Sequence, residues 1–145
     1  MKGTYIDRIC VSPKTKLREV IAKMAALKPG KTPLPAGIVL VTTGNFELQG
    51  IATDGDLRRA LASGATFETP IGAVMNRTPF LVEGPKTNVE ILSLVVDKIK
   101  QEHWHKDRLD KIVVVDRKRR VLDVIGFYDL WQASDMRFKH IGIVG

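Results

Sequence analysis

The chain repeats itself. In each half a short extended stretch leads into an amphipathic helical pattern. A β-branched run, a polar turn, a returning apolar run and an Asp-Leu pair at a helix start follow. Asp56-Leu57 and Asp129-Leu130 stand 73 positions apart, and Val39 and Val113 stand 74 apart. That period is too long for a stacked solenoid. It suits two copies of one βαββα unit, each too small to bury a good core alone. The expected fold class is α+β, with two βαββα repeats packed as a pseudo-twofold pair. The expected units span residues 5–65 and 66–135, with a tail over 136–145.

Residues 1–12 read as an extended lead-in with Ile6, Ile9 and Val11 as its apolar positions. Leu17, Val20, Ile21, Met24 and Leu27 recur at spacings of three and four, which predicts a helix over 16–27 capped by Thr15. Lys28-Pro29-Gly30 stops it. Segments 38–41 and 112–115 are β-branched and lack polar alternation, so both read as buried strands, with returning strands over 46–53 and 121–127. Thr69-Pro70 starts a short helical turn, 80–82 reads as a short strand, and Val89, Leu92, Val95, Val96 and Ile99 give a second helix face over 88–101. A final helix is expected to open at Asp129.

The phrase Gly50-Ile51-Ala52-Thr53-Asp54-Gly55-Asp56-Leu57-Arg58-Arg59-Ala60-Leu61 is a strand-to-helix turn with Thr53 or Asp54 as N-cap. The free N–H groups of a first helical turn suit an anion. A short carboxylate beside them can accept from vicinal hydroxyls. Phosphate at the one and ribose at the other is a nucleotide arrangement, although the spacing alone favours a plain capped helix.

Hydrophobic residues make up 44% of the chain and charged residues 27%, the balance of a folded globular protein. No apolar run approaches a membrane span and no leader pattern opens the chain, so no membrane is expected as a partner. The single Cys10 excludes an internal disulfide and reads as a packed residue, which points to a cytoplasmic location. The net charge of +7 favours anionic partners. Its one cluster, Arg117-Lys118-Arg119-Arg120, lies between two apolar runs and reads as a solvated hairpin turn rather than a nucleic-acid site. His103-Trp104-His105 with only His140 to spare falls short of a metal site. Nucleophile-elbow, phosphate-loop and zinc-protease signatures are absent, so no enzyme activity and no catalytic cofactor are expected.

The order of elements, the phrase around Thr53 and the junction Val74-Met75-Asn76-Arg77-Thr78-Pro79 together resemble a tandem pair of CBS domains, or Bateman module, over about residues 5–135. The wording Thr-Asp-Gly-Asp-Leu-Arg-Arg is most similar to pairs attached to sugar-phosphate isomerases and sugar nucleotidyltransferases. The resemblance implies a regulatory ligand, AMP, ADP, ATP or S-adenosylmethionine, held between the copies. Asp56 would hold the ribose, while Thr53 and the N–H groups around Asp54 and Gly55 would meet phosphate. Leu81, Leu109, Asp110 and Lys111 would form the opposite wall, with Lys111 balancing phosphate charge. A second, weaker cleft would comprise Ile9, Ala36, Gly37, Gly126 and Asp129. Gly126 stands there in place of Thr, and Phe127 and Tyr128 are bulky for the position. Asp56→Ala is expected to abolish ligand binding and leave the fold intact. The resemblance further implies a homodimer and an attached or partner metabolic enzyme. A ligand-free dimerisation module and a basic nucleic-acid-binding module are the alternatives. The tail, Lys139-His140-Ile141-Gly142-Ile143-Val144-Gly145, looks like the first strand of a dinucleotide-binding domain.

Overall fold

The structure is a computed structural model that describes residues 6–27, 37–102, 111–127 and 130. Two three-stranded sheets repeat one topology. The first orders β1 (Cys10–Val11), β2 (Ile38–Thr43) and β3 (Glu47–Thr53), with β1 parallel and β3 antiparallel to the central β2. The second orders β4 (Leu81–Glu83), β5 (Lys111–Val115) and β6 (Val121–Gly126) in the same senses. Helices α1 (Leu17–Ala26) and α2 (Asp54–Ala62) belong to the first copy and α3 (Asn88–Glu102) to the second.

Strand register brings the repeat to a single offset. Ile38 faces Thr53 and Lys111 faces Gly126, so the counterpart of Val39 is Ile112, at 73 positions, rather than Val113. Both hairpins also carry the same irregularity. Val41 and Thr42 face Gly50 and Leu48, leaving Gln49 over; Val114 and Val115 face Asp123 and Val121, leaving Leu122 over. An extra residue reverses the alternation of faces beyond it. Leu48 and Ile51 therefore point into one core, as do Val121 and Val124, although their spacing of three would part them in a regular strand.

Three apolar layers result. Val39, Val41 and Ala52 pack against Leu17, Val20 and Leu57 of the first-copy helices. Ile112 and Val114 pack against Ile91, Leu92 and Val95 of α3. Between them the opposite strand faces meet, Ile38, Leu40, Leu48 and Ile51 against Val113, Val115, Val121 and Val124, with Ile6 and Ile9. Each of these fully buried aliphatic chains contributes about 1.5–3 kcal/mol relative to exposure, so this shared layer is what joins the copies.

The hairpins meet at the pseudo-twofold axis. Phe46 and Arg119, 73 positions apart, both adopt left-handed backbone with φ of 63° and 64°. The Leu48 N–H donates to the Arg119 carbonyl at 2.9 Å and the Val121 N–H donates to the Phe46 carbonyl at 3.0 Å. The Arg119 side chain adds bonds from Nε to the Leu48 carbonyl (2.9 Å) and from Nη2 to the Arg77 carbonyl (3.4 Å). Asp116 accepts from the N–H groups of Lys118 and Arg120 and pairs with the Arg120 Nε at 2.8 Å. The basic cluster is thus a hairpin turn, two of whose arginines are bonded back into the fold.

Three expectations change. Ile6 and Ile9 are buried, but on a short 3₁₀ turn over Asp7–Ile9 rather than an extended lead-in, because residues three apart share one side of such a turn. Thr15 does not cap α1. The Leu17 and Arg18 N–H groups donate to the carbonyls of Thr69 and Phe67, so the segment between the copies supplies the cap. In α3 it is Ile91, not Val89, that joins the core. The final helix from Asp129, the His103-Trp104-His105 segment and the tail lie outside the described residues.

Arg119→Ala removes the two side-chain bonds across the axis and leaves Ala in a left-handed conformation. Urea unfolding is expected to show a loss of about 1–2 kcal/mol relative to wild type.

Candidate functional site

The end of β3 is buried through Ile51 and Ala52, so the chain emerges at Thr53 in a fixed direction. Pairing of Ile51 with Asn76, whose N–H groups donate to each other's carbonyls at 3.0 and 2.8 Å, also pins the inter-copy segment beside this exit. Thr53 is extended, with φ of −105° and ψ of 171°, and is the N-cap of α2. Its hydroxyl accepts from the Asp56 N–H at 3.3 Å, and its own N–H donates to Asp56 Oδ2 at 2.9 Å. This reciprocal pair is a capping box with Asp in the third position. The Thr53 hydroxyl also donates to Asp56 Oδ2 at 3.1 Å, and Asp56 Oδ1 accepts from Arg59 Nη2 at 2.8 Å.

Gly37 completes the turn. Its carbonyl accepts from the Asp54 N–H at 3.2 Å, and its φ of +79° is a conformation that favours glycine. A Cβ there would stand 2.9 Å from Asp54 Oδ2. Beside Asp56 a groove of about 580 Å³ opens, lined by Asp56, Arg59, Ser63, Thr69, Val74 and Asn76 among others. That volume lies in the range of small-molecule sites.

The structure brings Thr53, Asp54, Gly55, Asp56 and Gly37 together, although the sequence reading set Gly37 in the second cleft. Leu81 lies on edge strand β4 opposite Val113 and packs against the shared core. Lys111 pairs with Gly126 at the corresponding end of the second sheet. Ile9 is fully buried in the shared core. Gly126 occupies the register position of Thr53, so the second copy has no hydroxyl there for a capping box. Ala36, Leu109, Asp110 and Asp129 lie outside the described residues. Sequence reasoning missed Ser63, which caps the end of α2, and Thr69 and Asn76, which reach the groove because the inter-copy segment folds back along α2. Asp56 also turns out to be half of the helix cap, so Asp56→Ala removes cap bonds as well as a carboxylate and lowers stability.

Desolvation pushes the Cys10 thiol up to about 11, only partly offset by a hydrogen bond with Thr42. Among the described residues no group of three or more His, Cys, Asp or Glu is placed to hold a metal ion. No helix among them is long and apolar enough to cross a membrane.

Two sheets sharing one core, the first continued by a strand-to-helix turn, constitute the fold of CBS-domain proteins. The chain superposes on the CBS-domain structure NE2398 with a TM-score of 0.63 at 21% identity, over 88% of this chain and 87% of that one. It superposes on the CBS domain protein PAE2072 from Pyrobaculum aerophilum, complexed with AMP, with a TM-score of 0.62 at 15% identity, over 86% and 88%. In sequence it is similar to arabinose 5-phosphate isomerase GutQ of Escherichia coli (strain K12), 32% identical over 110 residues. That match takes in 76% of this chain and 31% of the isomerase, so the chain spans about a third of the length of the curated relatives it matches. No protein-family model matches the chain.

Thr53→Ala is expected to cost about 1 kcal/mol in urea unfolding, and Thr53→Ser to remain near wild type. Cys10 is expected to react slowly with a disulfide reagent at pH 8 in the folded protein and rapidly in denaturant, because only the thiolate attacks.

Proposed function

We propose that this chain is a non-catalytic regulatory module that binds an adenosine nucleotide beside the 53–56 turn. The supporting observation is the Thr53–Asp56 capping box. It holds a hydroxyl, a helix N-terminus and a carboxylate together, and the carboxylate lines a groove of about 580 Å³. The fold adds weight, since one solved protein that shares it carries AMP. In this reading Asp56 accepts hydrogen bonds from ribose hydroxyls and the start of α2 faces phosphate. Leu81, Leu109, Asp110 and Lys111 are proposed as the far wall. The second cleft, with Gly126 at its turn, binds more weakly.

Regulation follows by linkage. A ligand that touches both copies favours one relative arrangement of the two sheets, and an enzyme joined to the module responds to that arrangement. Similarity to arabinose 5-phosphate isomerases makes a sugar-phosphate isomerase the proposed kind of enzyme, attached or separate, working as a homodimer in the cytoplasm. A nucleic-acid role is disfavoured because Arg119 and Arg120 are bonded into the fold.

Calorimetric titration with AMP, ADP, ATP and S-adenosylmethionine tests the reading. Saturable binding of at least one is expected, with Asp56→Asn weakening it about tenfold or more while retaining an oxygen for the Thr53 N–H. Equal affinity in that variant would remove the ligand from this turn. No binding of any of the four would leave a ligand-free dimerisation module, visible as a stable dimer by sedimentation.

A further inference from the structure

Asp56 is already occupied on both oxygens. Oδ2 accepts from the N–H and O–H of Thr53, and Oδ1 accepts from Arg59. The two bonds to Oδ2 hold the helix start together. The bond to Oδ1 does no such work, since Arg59 lies three residues along the exposed face of α2 and its side chain is 73% exposed. A pair that open to solvent is weak and readily exchanged. A ligand hydroxyl that takes Oδ1 therefore competes with the Arg59 guanidinium for that oxygen.

The guanidinium sits close to the helix start. It lies over Gly55, where a Cβ would stand 3.2 Å from Nη1 and 3.5 Å from Nη2, so a larger residue would crowd it. It also lines the groove together with Asp56. Released from Oδ1, it stays beside the helix start, where an anionic ligand group would sit, and its planar fork matches phosphate oxygens.

We propose that Arg59 is the residue by which this site distinguishes nucleotides from nucleosides. In the empty site it guards Asp56; on binding it passes from Asp56 to the ligand's phosphate as the ribose takes Oδ1. A nucleoside competes with the Arg59–Asp56 pair and offers the cation nothing in return. A nucleotide replaces one anionic partner with another. The inference rests on the nucleotide-binding reading above and adds the origin of its charge selectivity.

AMP and adenosine are titrated into wild type and Arg59→Gln, with thermal melts to verify that the exposed substitution leaves the fold intact. Wild type is expected to prefer AMP by about tenfold or more. In Arg59→Gln the AMP affinity is expected to fall while the adenosine affinity rises or holds, closing the ratio to about threefold or less. A purely structural role for Arg59 would weaken both ligands together. An AMP-to-adenosine ratio unchanged in Arg59→Gln, with AMP still bound, overturns the inference and leaves the nucleotide site standing. Failure of AMP to bind wild type overturns the nucleotide reading itself.

Discussion

The structure depends on one layer of side chains that neither copy can bury alone. From their own copy Ile38, Leu40, Leu48 and Ile51 are joined only by Ile6 and Ile9 among the buried residues of that layer, since the other face of the first sheet is taken by α1 and α2. The matching face of the second sheet supplies the rest of the cover. At the axis the cover is reinforced by backbone bonds, Leu48 to Arg119 and Val121 to Phe46. The bulges at Gln49 and Leu122 are what allow it, since they bring Leu48 with Ile51 and Val121 with Val124 onto the shared side. Any change in how the copies sit must slide this layer, which makes it the element through which a ligand at one end could be felt across the molecule.

The candidate site hangs from the same framework. β3 runs from the axis crossing at Glu47 to the helix cap at Thr53, and its register with β2 seats Gly37 against Asp54. The inter-copy segment caps α1 through Phe67 and Thr69 and pairs with Ile51 through Asn76 before lining the groove. A single stretch thus touches the first helix, the site strand and the groove.

Much of this was legible in the residues. The repeat, the β-branched central strands and the helix start at Thr53 each have a local cause, and each appears where periodicity or capping chemistry puts it. What was not legible is non-local. The cap of α1 comes from carbonyls fifty positions away, which no side-chain pattern near Thr15 could report. The bulges add a residue without changing composition, so the reading of 46–53 and 121–127 as plain returning strands did not report them. Arg59 could be read as a cation for phosphate or as a plain helix-surface residue, but its grip on Asp56 was not legible because it depends on a rotamer. Asp56 itself looked like a free carboxylate, when the first partner it finds is the Thr53 backbone.

The central claim is that a nucleotide settles at the 53–56 turn. A nitrogen-15 NMR titration with AMP reads that turn directly. The account expects saturable shifts of the Gly37, Thr53, Gly55, Asp56 and Arg59 amides, with the Val39 and Ile112 amides inside the sheets far less affected. Spectra unchanged at millimolar AMP, or shifts confined to the basic turn at Arg117 and Lys118, would contradict it.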